Sequence, residues 1–156
     1  MQTNEKLAVV LNDLIEINND RVRGYKKAID EAKDEDGDLK TIFAEMAGNS
    51  KKYAAELTQH VHTLGGDPAT DTTIRGKIYR VWMDVKATFT GHNRQSLLEA
   101  CEYGEAAAQK AYTDALASDV EISADVRRLI TDQQSALKTA HSSIKKYIDM
   151  YKVVKA

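Results

Sequence analysis

Apolar residues recur every three or four positions through four long stretches of the chain, which is the pattern of amphipathic α-helices. These stretches predict helices over about residues 4–33, 39–64, 94–117 and 123–156. In the first stretch, the predicted apolar stripe consists of Leu7, Leu11, Leu14, Val22, Tyr25, Ala28 and Ile29. In the third, the predicted core positions are Leu98, Cys101, Glu105, Ala108, Tyr112 and Ala115. In the second, steps of four and three alternate from Leu39 to Leu64, a heptad pattern typical of near-parallel helix packing.

Two short turns and one long crossover connect the four predicted helices. Residues 34–38 read Asp-Glu-Asp-Gly-Asp, a turn in which Gly37 is free to take a left-handed conformation. Residues 118–123 form the second turn, so the first two helices and the last two form antiparallel pairs. Gly65-Gly66-Asp67-Pro68 ends the second helix.

The crossover between the second and third helices contains a short predicted helix of its own, over about residues 74–89. At about 1.5 Å rise per residue it covers about 24 Å, so the second and third helices need not be antiparallel neighbours. A long crossover at this point distinguishes ferritin-like bundles from up-down bundles.

Composition agrees with one all-α domain over residues 1–156. The chain has a single proline, Pro68, and helix-forming residues dominate it. Its 22 basic and 24 acidic residues give a net charge of -2, which argues against nucleic acid as the main partner. No apolar run of about 18 residues and no signal peptide is visible, and Cys101 is the single cysteine. We therefore expect a cytoplasmic protein that does not cross a membrane.

Several motifs resemble an uncharacterised bacterial family of ferritin-like proteins, and the resemblance covers nearly the whole chain. These motifs are Leu14-Ile15-Glu16, Asp20, Gly24-Tyr25, Glu56-Leu57, Gly65-Gly66-Asp67-Pro68, Arg80-Val81-Trp82-Met83-Asp84-Val85-Lys86 and Glu102-Tyr103-Gly104-Glu105. The segment from Arg80 to Lys86 is the most specific of them. The resemblance implies a ferritin-like four-helix bundle with a fifth helix in the crossover. It implies no activity, because none is established for the family.

A metal site is one interpretation of the third helix, where Glu102 and Glu105 stand three residues apart and so share a face. Ferritin-like di-iron proteins combine such glutamates with a Glu-x-x-His motif on other helices. The candidate ligands, which suit iron or manganese, are Glu56, His60, Glu102, Glu105 and His141.

The remaining helices fit this motif poorly. Gln59 stands where the second helix needs a histidine, and Lys138 stands where the fourth needs a glutamate. On the first helix, Asn18 and Arg21 take the inward polar positions, and an inward arginine repels a metal cation.

A buried polar network is the interpretation we prefer. Helical rise places Arg21, Ser50, Glu105 and Gln134 within about 5 Å of one level along the bundle. A buried Glu105 needs a partner, and Arg21 provides one. His60 and His141 are then hydrogen-bonded core histidines. On the crossover, Arg80, Trp82 and Asp84 dock that helix or a partner subunit onto the bundle, or else Arg80 and Asp84 only form a surface ion pair.

These observations favour a non-enzymatic structural or interaction protein that self-associates as a dimer, without a cofactor or a small-molecule substrate. The alternative is a di-metal carboxylate protein that binds iron or manganese, with oxidoreductase or iron-binding activity. A third possibility is a small-molecule binder with tyrosines and histidines in its core. Whether the protein is an enzyme stays open at this point.

Overall fold

A computed structural model describes residues 2–70 and 94–155, with side chains for 4–70 and 94–150, and these ranges contain four long α-helices. They are α1 (Gln2–Glu31), α2 (Gly37–Thr63), α3 (Arg94–Leu116) and α4 (Ala124–Lys155). The described ranges contain no strand. The all-α prediction is therefore confirmed, and the ends of the helices lie within about two residues of the predicted ones. The predicted crossover helix lies outside the described residues.

Contacts between the helices define a four-helix bundle. Helix α1 packs against both α2 and α3, α3 packs against α4, and α2 approaches α4 only loosely. Arg94, at the start of α3, contacts Asp36 and Asp38 beside the start of α2. Helix α3 therefore begins at the same end of the bundle as α2 and runs parallel to it. Tyr112 of α3 bonds Gln133 of α4, across an antiparallel pair.

The connection from α1 to α2 does not depend on a left-handed conformation at Gly37. Residues Asp34–Asp36 form a single 3-10 turn, and Gly37 begins α2 with a right-handed φ of -56°. Gly37 does not use the left-handed conformation that is open to it, because the 3-10 turn already reverses the chain. The one glycine with a positive φ in the described ranges is Gly65, at 80°.

Helix α2 is capped by Gly65 and Gly66, which each make one backbone hydrogen bond to its last turn. The N–H of Gly65 bonds the carbonyl of His62 at 2.9 Å, and the N–H of Gly66 bonds the carbonyl of Val61 at 3.0 Å. This is a Schellman motif, which satisfies the last carbonyls of a helix and favours glycine at the left-handed position. A Cβ on Gly66 would lie 3.1 Å from the Cβ of Ala8, so the end of α2 sits directly against α1.

The interior consists of two apolar clusters with a polar layer between them. The first cluster lies toward the start of α1 and includes Leu7, Leu11, Leu14, Leu57, Val61, Val126 and Ile130. The second lies toward the α1–α2 turn and includes Tyr25, Leu39, Phe43, Leu98, Cys101 and Ile144. Five polar residues are fully or almost fully buried between the clusters: Asn18, Arg21, Ser50, Glu105 and Gln133. In the described ranges, no helix has an 18-residue window apolar enough to cross a membrane.

Candidate functional site

An ion pair between Arg21 of α1 and Glu105 of α3 forms the centre of the polar layer. Arg21 Nε donates to Glu105 Oε1 at 3.0 Å, and Arg21 Nη2 donates to Oε2 at 2.5 Å. The two side chains are 1% and 0% exposed. This paired contact is the bidentate geometry that a guanidinium makes with a carboxylate, and it fixes orientation as well as charge.

Tyr25 completes the surroundings of this ion pair from α1. Its hydroxyl donates to Glu105 Oε2, so three donors from α1 engage the two carboxylate oxygens. The guanidinium carbon of Arg21 lies 5.3 Å from the centre of the Tyr25 ring, within the range of a cation–π contact. Tyr25 therefore contacts both members of the ion pair, Arg21 and Glu105.

The remaining nitrogen of Arg21 connects the ion pair to α2. Arg21 Nη1 donates to Ser50 Oγ, and the Ser50 hydroxyl donates to Asn18 Oδ1 at 2.9 Å. Asn18 Nδ2 donates to the carbonyl of Leu14 at 2.8 Å, one turn earlier on α1. The network thus runs from α1 to α2 and back.

From Asn18 the network continues to α3, α4 and the edge of the bundle. Asn18 Nδ2 also donates to the Tyr112 hydroxyl at 2.8 Å, and that hydroxyl donates to Gln133 Oε1 at 2.6 Å. Gln133 Nε2 then lies 3.2 Å from both the carbonyl of Tyr53 and Glu56 Oε1. Glu56 is half-buried, so the network links all four helices and ends near solvent.

The direction of this chain of hydrogen bonds is forced by its members. The guanidinium of Arg21 can only donate, so the Ser50 hydroxyl must accept from it and donate onward. A backbone carbonyl can only accept, which fixes the amide orientation of Asn18 against Leu14 and of Gln133 against Tyr53. Along the path from Arg21 through Ser50, Asn18, Tyr112 and Gln133, every link therefore donates toward Glu56. Aligned hydrogen bonds polarise one another, so the chain is strengthened as a unit.

Charges in this layer are held in one state by their surroundings. Burial has the largest single influence on the pKa of Arg21 and lowers it, but the charge of Glu105 and the interactions with Glu105 and Tyr25 together outweigh burial and hold the pKa above its usual value. Burial, together with the charge of Glu105, raises the pKa of Tyr25 well above its usual range. Burial does the same to the pKa of the Cys101 thiol. At neutral pH, Arg21 is therefore a cation, and Tyr25 keeps the proton that it donates.

Of the four residues predicted for the network, the structure brings together Arg21, Ser50 and Glu105. Gln134 lies apart from them, half-buried, and its Nε2 donates to Thr113 Oγ1 at 3.0 Å. Gln133 takes the inward position instead, because neighbouring residues of a helix point about 100° apart. The signal was present in the sequence, since Gln133 lies three residues after the buried Ile130 and four before the buried Leu137.

The candidate metal ligands do not converge on one point. Glu105 is held by Arg21 and Tyr25, and Glu56 accepts from Gln133. His141 Nε2 lies 3.5 Å from Glu102 Oε1, on the flank between α3 and α4, and makes no hydrogen bond although it is buried. Over the described ranges, no three histidine, cysteine, aspartate or glutamate side chains are grouped as a metal site would require. His60 is half-buried on α2, one turn beyond Glu56.

A second set of ion pairs lies at the end of the bundle that carries the α1–α2 turn. Arg94 Nη2 lies 2.8 Å from Asp38 Oδ2, and Arg94 Nη1 lies 3.2 Å from Asp36 Oδ1. The hydrogen bond from Arg94 holds the pKa of Asp38 below its usual value. The crossover residues predicted to dock a helix or a subunit, Arg80, Trp82 and Asp84, lie outside the described residues.

A groove of about 540 Å³ runs between α2 and α4, the two helices that pack loosely. Ten of the residues with described side chains line it, and among these Glu45 is the one that carries a charge. The others are apolar or neutral: Ile42, Met46, Asn49, Tyr53, Ala136, Thr139, Ala140, Ser143 and Tyr147. A low content of charge with tyrosine and methionine is typical of the core of a protein interface.

A family model described as Domain of unknown function (DUF2383) matches residues 6–118, well over half of the chain. No curated protein matches the chain.

Proposed function

Because the chain belongs to the family described as Domain of unknown function (DUF2383), we propose its function from the geometry of its own interior. It is a non-enzymatic structural or interaction protein, whose would-be metal ligands serve to hold four helices together. One observation carries this proposal: both oxygens of Glu105 are engaged by Arg21, and one of them also by Tyr25. A carboxylate satisfied in this way orders a bundle and has no free oxygen for a substrate or a metal.

We also propose that the bundle is ferritin-like. The parallel course of α2 and α3, which Arg94 indicates by its contact with Asp38, supports this arrangement. So does the packing of α1 against both α2 and α3. In a bundle with only short connections, consecutive helices are antiparallel, whereas a long crossover allows a parallel pair.

The side chains that are present do not fit a di-metal centre. Ferritin-like centres use glutamate and histidine from all four helices, with all of them projecting to one point. Here the fixed positive charge of Arg21 lies at the carboxylate of Glu105 and repels a metal cation. The alternative function, an iron or manganese oxidoreductase or binding protein, would have to use Glu102 and His141 without Glu105.

Elemental analysis of the purified protein, with and without added iron, tests the proposal against this alternative. We expect much less than one metal ion per chain in both samples, and no change for Glu105→Ala. About two irons per chain, the stoichiometry of a di-iron centre, would contradict the proposal, and their loss in Glu105→Ala would also contradict the role given to Glu105.

For the interaction role, we propose that a second copy of the chain is the partner and that the α2–α4 groove is the contact surface. The nearly uncharged lining of the groove supports this proposal. Light scattering should then show a dimer that Tyr147→Lys dissociates, because the new charge would be buried in the contact. Tyr103→Lys is the matched control, since Tyr103 is an exposed tyrosine on α3. A monomer at all concentrations would count against the proposal.

A further inference from the structure

The guanidinium of Arg21 is enclosed by three different kinds of group. Glu105 meets two of its nitrogens with a carboxylate fork, Ser50 accepts from the third, and the Tyr25 ring lies within cation–π distance. All of these side chains are at most 1% exposed. We refer to Tyr25, Ser50 and Glu105 as the guanidinium cage.

We propose that this cage is a binding site specific for a guanidinium cation, which the protein fills with its own Arg21 side chain. The cage is built from the packed faces of three helices and not from the flexible side chain that it holds. Tyr25 is part of the second apolar cluster, and Ser50 is fully buried on α2 and donates to Asn18, so both are held by contacts other than those with Arg21. Removing the side chain of Arg21 therefore leaves a site that free guanidinium can occupy.

The geometry of the cage selects the chemical class of its ligand. A planar guanidinium presents parallel N–H groups to a carboxylate and a flat face to an aromatic ring, whereas an ammonium is a point charge with three donors. The carboxylate fork of Glu105 and the ring of Tyr25 match the planar cation on both counts. Methylammonium has the same charge and lacks this match.

The charge of the cage excludes a divalent metal as its ligand. Glu105 is the one carboxylate in the cage, so a monocation is neutralised there. A divalent ion would keep an uncompensated positive charge in a buried site, which is strongly unfavourable. This inference rests on the cage alone and is independent of the function proposed for the native chain.

Chemical rescue of Arg21→Ala tests the proposal. The variant is purified, and its thermal unfolding is followed by circular dichroism in zero to about 20 mM guanidinium chloride, far below the molar range in which guanidinium denatures. A ligand that binds the folded state stabilises it. We expect Tm to rise by about 5 °C and to saturate with guanidinium concentration. If the variant is unfolded alone, guanidinium should restore its helical signal.

Three controls make the rescue specific. Methylammonium chloride and sodium chloride at the same concentrations should produce no saturable rise in Tm. The double variant Arg21→Ala/Glu105→Gln should not respond to guanidinium, because its cage lacks the carboxylate. In Arg21→Lys, guanidinium should have no effect either, because the lysine occupies part of the cage.

Four results would overturn the proposal. The first is no saturable effect of guanidinium on Arg21→Ala, including a chain that stays unfolded in its presence. The second is an equal effect of methylammonium, and the third is an equal effect in the double variant. The fourth is saturable stabilisation of Arg21→Ala by ferrous or manganous ions, which would contradict the charge argument. The metal content of the native protein is a separate measurement, so each proposal can fail alone.

Discussion

Two arginines of this bundle pair with carboxylates in very different surroundings. Arg21 and Glu105 meet in the polar layer with 1% and 0% of their side chains exposed. Arg94 meets Asp38 at the end of the bundle, where 22% of the arginine and 53% of the aspartate are exposed. The distances are comparable, 2.5 Å in the first pair and 2.8 Å in the second.

Breaking the two pairs should nevertheless have very different effects on stability. An exposed pair is solvated whether or not it forms, so breaking it changes stability little. Breaking a buried pair leaves a charge without water or a partner, which is strongly destabilising even where the intact pair adds little. The central pair therefore determines which helix arrangements are tolerable, whereas the terminal pair only joins a turn to the start of α3.

The largest effect should come from Glu105→Ala, which leaves the buried Arg21 unpaired. We expect a loss of about 3–5 kcal/mol in the free energy of unfolding, measured by urea denaturation. Glu102→Ala is the matched control, one turn earlier on the same helix and half-buried, and it should cost no more than about 1 kcal/mol. Equal losses in the two variants would remove the distinction between buried and flanking carboxylates.

The next largest effect should come from alkaline pH, which should lower the free energy of unfolding. The pKa values of Tyr25 and Cys101 are raised in the folded state, so above their unfolded values, 10.0 and 9.0, the unfolded chain loses protons that the folded chain keeps. The contribution of these two groups to the free energy of unfolding is therefore fully present below about pH 9. Above that pH it falls, by up to about 1.4 kcal/mol per pH unit for each group.

Two variants separate these contributions in urea denaturation between pH 7 and 11. Cys101→Ala should reduce the slope of stability against pH from pH 9 upward, and Tyr25→Phe should reduce it only above about pH 10. A wild-type stability that stays constant to pH 11 would contradict the burial of both groups.

A smaller loss should follow from Tyr112→Phe, which removes one link of the hydrogen-bond chain. Asn18 Nδ2 keeps its bond to Leu14, but Gln133 Oε1 loses its donor in a buried position. We expect a loss of about 1–3 kcal/mol in the free energy of unfolding. Tyr103→Phe is the control and should be neutral, because the Tyr103 side chain is exposed. If Tyr112→Phe left the free energy of unfolding unchanged, the hydrogen bonds of the polar layer would not act as a unit.

The smallest effect should come from Arg94→Ala at the bundle end, about 1 kcal/mol or less in urea denaturation. The depressed pKa of Asp38 means that its contribution is present above the unfolded pKa and is lost as pH falls through the folded one. The difference between wild type and Arg94→Ala should therefore shrink toward low pH, and high salt should reduce it as well. A loss as large as that of Glu105→Ala would invalidate the comparison of the two pairs.

Much of the fold follows from the hydrophobic pattern. All six core positions predicted on α3, Leu98, Cys101, Glu105, Ala108, Tyr112 and Ala115, are buried, because one side of this helix faces the bundle. The predicted stripe is nevertheless too narrow on both helices: Ile15 and Ile17 of α1, and Leu97 and Ala100 of α3, are buried outside it, since each of these helices packs against two others. A single-stripe pattern describes a helix with one partner face.

The polar layer was predictable in part. Inward positions identify Arg21 and Glu105 as partners, because a buried charge demands an opposite one. The involvement of Tyr25 and Tyr112 depends on where each hydroxyl points, and this is set by packing between helices and not by periodicity. Gln133 and Gln134 are neighbours whose side chains point about 100° apart, and both lie close to the predicted stripe of α4. Periodicity alone therefore does not decide which of them faces the interior.

The most direct test of the central claim is a double-mutant cycle on Arg21 and Glu105, with stability measured by urea denaturation of Arg21→Ala, Glu105→Ala and the double variant. If the pair acts as a unit, the double variant loses less than the sum of the single losses, by about 2–3 kcal/mol. The second substitution then removes a charge that the first left unpaired. Losses that simply add would contradict the claim that each side chain is buried because the other neutralises it.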